Sequence, residues 1–160
     1  MNNGISLFGL VNLLRQPVFL SAITSWFVAQ FAKALISLLR HPSGSFKEVL
    51  VTLFWKTGGM PSSHSALSVA ITTSIAYTSG MLSDIFVLSF FFTMVVIRDA
   101  VGVRRAAGLQ ARAINQLGTE LAKHCSTPFT PVKEVHGHTM PQIIVGGLMG
   151  FFIALAVCTL

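Results

Sequence analysis

Charge is what this chain has least of: Asp, Glu, Lys and Arg make up only 10% of its 160 residues, against about 25% in a soluble domain. So little charge cannot coat a soluble globule, and no nucleic-acid partner is expected of a chain with so little water-facing surface. Cysteine is equally scarce. Cys125 and Cys158 are the only two, and they have neither a pairing pattern nor metal-ligand spacing, so no disulfide framework, metal or other cofactor is expected. The opening Met1-Asn2-Asn3-Gly4 lacks a charged n-region and a small-residue cleavage site, so the apolar segments are expected to stay in the mature protein. Repeats and low-complexity tracts are absent as well.

In place of charge the chain has hydrophobic residues, 52% of the total. Such a composition suits lipid as solvent and points to a single membrane-embedded domain over residues 1–160. The segment from Pro17 to Leu39 exceeds the roughly 20 apolar residues needed to cross a bilayer, and Pro17 suits a first helical turn. Further spans are expected over about Ser62 to Thr78, Met81 to Ile97 and Met140 to Leu160, with Ser79-Gly80 as a tight connection. Ile5 to Leu14 is too short to span and reads as an interfacial lead-in ending in Arg15. Between the third and fourth spans, Val103, Ala107, Ile114, Leu117 and Leu121 recur at helical spacing with Arg104, Arg105, Arg112 and Lys123 between them, which predicts a surface helix. Ser126 to His136, carrying Pro128 and Pro131, predicts a loop. The fold class is therefore all-α, a polytopic bundle of about four transmembrane helices plus interfacial helices.

The cations are not evenly shared. Eleven Lys and Arg face five Asp and Glu, a net charge of +6. Arg40, Lys47 and Lys56 follow the first span, and Arg98, Arg104, Arg105, Arg112, Lys123 and Lys133 follow the third, while the opposite side has Arg15. The positive-inside rule makes both basic loops cytoplasmic. Lys33, Arg40, His64, Arg98, Asp99, Arg104, Arg105 and His138 then fall at or near one face.

Two histidines occupy equivalent places on that face, each at the water-facing start of an apolar span. Gly58-Gly59-Met60-Pro61-Ser62-Ser63-His64-Ser65-Ala66 sets a turn, two hydroxyls and an imidazole where one helix begins, and unpaired N–H groups at such a start suit an anion. His136-Gly137-His138-Thr139-Met140-Pro141-Gln142 begins another. Thr139 and Gln142 have capping-box spacing, and Gln142 can reach back over the first turn towards His138. Two histidines beside one phosphate divide the work, one attacking phosphorus and the other protonating the leaving oxygen. Asp99 is too costly near lipid to stand alone, so it is expected to meet an arginine or His138. Gly146 and Gly150 form a small-residue pair for helix contact, assigned to the inside of the bundle rather than to a dimer. Oligomeric state stays open.

Pro61-Ser62-Ser63-His64 resembles the Pro-Ser-Gly-His motif of the type 2 phosphatidic acid phosphatases, a superfamily that includes the vanadium haloperoxidases. Lys33 through Arg40-His41-Pro42 resembles its Lys, six residues, Arg-Pro motif, and His138 with Gln142 resembles its His, three residues, Asp element. Ala29-Gln30-Phe31-Ala32-Lys33, Arg98-Asp99-Ala100-Val101-Gly102-Val103-Arg104-Arg105-Ala106-Ala107-Gly108 and Gly137-His138-Thr139 bring the chain closer to a divergent branch of small bacterial and plant membrane proteins. The resemblance implies His138 as nucleophile through a phosphohistidine and His64 as acid for the leaving group, with Lys33, Arg40 and Ser62 on the phosphate. Ser63, Arg104 and Arg105 join the phosphate-binding set here, and Gln142 and Thr139 support His138. Ser63 stands where the motif has glycine, Val132 where it has arginine, and Gln142 where it has a carboxylate. If Asp99 meets His138 it replaces that carboxylate.

The expected function is metal-independent hydrolysis of a lipid phosphate or diphosphate in a bacterial cytoplasmic membrane, or an organellar one in a plant, with the site on the cytoplasmic face. The alternative is a non-catalytic protein that binds or carries a phosphorylated lipid with the same cations.

Overall fold

The computed structural model describes residues 7–40, 59–125, 128–134 and 137–160. Among these every regular element is helical: α1 (Leu7–Arg15), α2 (Pro17–Arg40), α3 (Ser63–Ser79), α4 (Asp84–Arg98), a π-helical turn (Asp99–Val103), α5 (Arg104–Cys125) and α6 (Met140–Thr159). Lys47 and Lys56, which carry part of the charge count, lie outside the described residues, as do His41-Pro42, Gly58, Ser126 and His136, and so does the side chain of Arg40.

Local chemistry sets most helix ends. Gln16 separates α1 from α2, and its carbonyl accepts the Leu20 N–H at 2.9 Å while Pro17, which has no N–H to leave unpaired, opens α2. Ser62 caps α3 and Ser83 caps α4, each accepting the N–H three residues on. Gly80, at φ +82, ends α3 in a conformation costly for any other residue and supplies the tight connection expected of Ser79-Gly80.

α3 sits at the centre of the bundle, against α2, α4 and α6. Its packing face is small and polar: Ser63, Ser65, Ala66, Ser68, Ala70 and Ser74 are buried. That choice lets backbones approach closely where lipid offers no hydrophobic drive. Towards α6 the approach is closest. A methyl group on Gly146 would collide with the Ser62 carbonyl, and one on Gly150 with the Ala66 carbonyl, so both glycines work inside the bundle as their spacing suggested. Towards α4, Thr72 donates to the Ser89 carbonyl and Thr93 to the Ser68 carbonyl, both at 3.0 Å, and the two hydroxyls meet at 2.8 Å. The large apolar side chains point the other way. Phe27, Phe31, Leu88, Phe91, Phe92 and Phe152 are exposed, as lipid-facing groups should be.

Among the described residues three helices are long and apolar enough to cross a membrane: α2, the continuous helix that starts at Asp84, and α6. α3, expected as a further span, has 17 residues, roughly 25 Å at 1.5 Å per residue. Its apolarity is diluted because its serines and threonines face neighbouring helices instead of lipid.

A second difference concerns the surface helix. It is not separate from the third span, because the π turn joins α4 to α5 without a break. No proline intervenes between Ile97 and Arg104, Asp99 keeps helical backbone angles and Gly102 does not adopt a positive φ, so the chain stays helical and widens by one residue instead of stopping. Residues 128–134, the described part of the expected loop, are non-helical as expected, but they run back along α5. Phe129 packs on Gly118, Asn115 exchanges two hydrogen bonds with the Val132 backbone, and Glu134 meets both Arg112 and Asn115. Gly137 completes the return, lying so close to Arg105 that a Cβ there would sit 2.6 Å from its backbone. This strap delivers His138 to the bundle.

Candidate functional site

His138 is fixed by three local facts. Its backbone N–H donates to the Ala100 carbonyl in the π turn at 3.2 Å, which ties the end of the strap to the end of α4. The Gln142 Oε1 accepts the Thr139 N–H at 3.0 Å, the Gln142 half of the capping box anticipated from sequence. The same oxygen lies 3.1 Å from His138 Nδ1. Because Thr139 N–H can only donate, the atom facing it must be the amide oxygen, and an oxygen facing Nδ1 demands a proton there. Nδ1 thereby carries a proton, and among the described residues nothing bonds Nε2.

Backbone contact also joins this element to the other histidine motif. The Ser62 N–H donates to the Gln142 carbonyl at 3.0 Å, so the cap of α3 and the first turn of α6 are bonded directly. His64, in the first turn of α3, is exposed and within electrostatic reach of Arg104, His138, Lys33 and Asp99. Lys33 is only 6% exposed on α2, and the turn at Gly59, at φ +84, packs over its side-chain methylenes. A buried lysine in a spanning helix is expensive and marks a site where negative charge is wanted.

His138 differs from the expectation of a water-facing ring: it is only 7% exposed. Burial holds its imidazole below the usual histidine value. The bond to Gln142 offsets part of that, and the positive charges of Lys33 and Arg104 push it further down.

Of the residues singled out in sequence, Lys33, His64, Asp99, Arg104 and His138 form one electrostatic cluster. Asp99 meets an arginine, not His138: Arg104 Nε donates to Asp99 Oδ2 at 2.6 Å. Both partners are more than a third open to water, so the pair is worth roughly 0–1 kcal/mol and orients a guanidinium more than it stabilises the fold. The π turn makes this five-residue spacing possible. Ser62 and Ser63 are buried in helix packing, and the Ser62 hydroxyl is occupied as a cap, accepting from Ser65 Oγ at 3.0 Å as well as from the Ser65 N–H. Arg105 is exposed at the start of α5, with its backbone under Gly137. Sequence reasoning missed the Ala100 carbonyl as the anchor of His138, and no residue type could have signalled a backbone acceptor. No group of three or more His, Cys, Asp or Glu suited to a metal ion is found among the described residues.

Comparison with known proteins agrees with these motifs. An uncharacterized membrane protein of Bacillus subtilis (strain 168), YuiD, is 33% identical over 156 residues, covering 91% of this chain and 96% of that protein. No solved structure matches. The sequence profile of the divergent PAP2 family matches residues 14–153, from the end of α1 to the last turns of α6, a stretch that includes Lys33, both histidines and the π turn. The chain is an all-helical membrane protein of the divergent PAP2 family.

Proposed function

We propose that the cluster hydrolyses a phosphate or diphosphate carried on a lipid. The observation that carries this reading is the Gln142 contact, which fixes a proton on His138 Nδ1 and leaves the Nε2 lone pair available. His138 Nε2 attacks phosphorus, a P–N bond forms as the P–O bond to the lipid breaks, and His64 gives its proton to the departing oxygen. Lys33 and Arg104 offset the charge that gathers on the remaining oxygens. His64 then takes a proton from water, which attacks the phosphohistidine, releases phosphate and restores His138. The excess of Lys and Arg in the loops beside the site supports a cytoplasmic face for it by the positive-inside rule. Turnover by pure protein of a panel of lipid phosphates tests the proposal.

Gln142 also supports the rival reading, a protein that binds a lipid phosphate without turning it over. An amide orients the ring but stabilises the developing imidazolium less than a carboxylate would. Gln142→Glu separates the two. The glutamate keeps the Thr139 cap and adds the missing charge, so a catalytic protein gains turnover by about tenfold, whereas a pure binder gains none. Asp99→Asn is expected to cost only a few-fold, since Asp99 acts through Arg104. Loss of turnover with Asp99→Asn and no change with Gln142→Glu would reverse the roles assigned to the two residues.

The pH profile offers an independent check. His138 attacks in its neutral form, and its proton affinity is lowered in the fold. Protonation therefore removes the nucleophile only at pH values below the ordinary histidine range of about 6.5, and the acid limb of kcat/KM should lie there. In Gln142→Glu the new negative charge favours the imidazolium, and the limb should move upward. An acid limb above the ordinary value in the unsubstituted protein would exclude His138 as the group titrating.

A further inference from the structure

α5 is amphipathic, yet the chain covers its polar side. Arg112 and Asn115 engage the strap, whereas Ile114, Leu117 and Leu121, on the opposite face at about 100° per residue, are 50%, 66% and 61% exposed. Val103 in the π turn is exposed to the same degree, at 66%. A helix ordinarily turns such a stripe towards its own core. Here the core side is taken and the stripe needs another apolar phase.

We infer that the Ile114-Leu117-Leu121 stripe of α5 lies in the lipid bilayer, at the boundary between head groups and acyl chains. Continuity supports this occupant over a second copy of the chain. Leu88, Phe91 and Val95 on α4 are exposed, and the exposed apolar surface continues from them through Val103 in the π turn into the stripe. A bend at that turn, the usual place for one, lays α5 along the surface. Charge agrees with it. Arg104, Arg105, Arg112 and Lys123 stand on α5, and even with Asp99, Glu134 and Glu120 paired to three of them the helix keeps a positive balance, the sign that favours a helix lying on an anionic surface. The strap then sits on the aqueous side of α5, and the residues that orient His138 are braced against a helix held by the membrane. This holds whether or not the histidine site turns over a substrate.

The test uses the full chain with Cys125 and Cys158 replaced by serine, reconstituted in vesicles of phosphatidylcholine and phosphatidylglycerol. An environment-sensitive fluorophore is attached in turn at Ile114→Cys, Leu117→Cys and Leu121→Cys, and at Gln116→Cys and Thr119→Cys on the other side. Nitroxide-bearing lipid should quench the three stripe positions about threefold or more over the two controls, and aqueous iodide should show the opposite order. Three separate stripe positions keep the test decisive if one variant fails to insert. Equal iodide quenching at all five positions overturns the inference. So do stripe labels shielded from lipid and iodide alike, as they would be beneath residues 41–58 or a second copy.

Discussion

His138→Ala should abolish turnover, by a factor of about 10⁴ or more, while leaving the protein folded and monodisperse in detergent. The side chain removed would be the one that forms the P–N bond, and no neighbouring group can replace it. Folding should tolerate the change. The backbone bond from residue 138 to the Ala100 carbonyl does not involve the side chain, and the Gln142 Oε1 keeps the Thr139 N–H as a partner, so no polar atom is orphaned. His64→Ala should be less complete for a lipid whose leaving oxygen needs little protonation and nearly complete for an alcohol. Near-normal turnover in either variant, with the melting temperature unchanged, would remove the two-histidine mechanism. A protein that still binds lipid phosphate but never turned it over would be the carrier instead.

Gly150→Val is expected to break the bundle itself. The added Cβ would meet the Ala66 carbonyl and, at 2.9 Å, the Ala66 Cα. These are backbone atoms of a packed helix, and they cannot yield unless α3 and α6 part. Overpacking of this kind typically costs about 1–3 kcal/mol and more where nothing flexible can move. A loss of about 3 kcal/mol corresponds to a fall in melting temperature of about 10 °C for a chain of this size. Gly147→Ala is the control on the same helix, because its Cβ would lie 3.6 Å from Val69 Cγ2, an ordinary contact. If the two variants melt alike, the close approach of α3 and α6 is not what holds the bundle. The consequence reaches the site, since the Ser62 to Gln142 backbone bond joins those same two helices and brings His64 towards His138.

Much of this was legible in the chain. Apolar runs of bilayer length, the Thr139–Gln142 spacing and the Gly146–Gly150 pair are relations within a single helix, where helix geometry alone decides which groups share a face or meet. The reach of Gln142 to His138 belongs to the same class. The motif segments around Lys33, His64 and His138 likewise marked one face, because spans that alternate direction return their ends to the same side.

The remaining features depended on tertiary structure, and each joins residues far apart in sequence or replaces an expected break with continuity. Sequence allowed Asp99 two partners. The π turn, by widening the helix one residue, brought Arg104 to it and left His138 to Gln142. The proline-bearing segment read as loop, and its register against α5 arises from Asn115 and Gly118 meeting Val132 and Phe129. His138 looked like a water-facing residue at a helix start, whereas packing by the strap and the bundle buries it and lowers its proton affinity. Burial, charge environment and backbone acceptors are properties of the assembled bundle. The sequence alone could determine which groups would be available, and only the packing of α3, α6 and the strap determined which of them would meet.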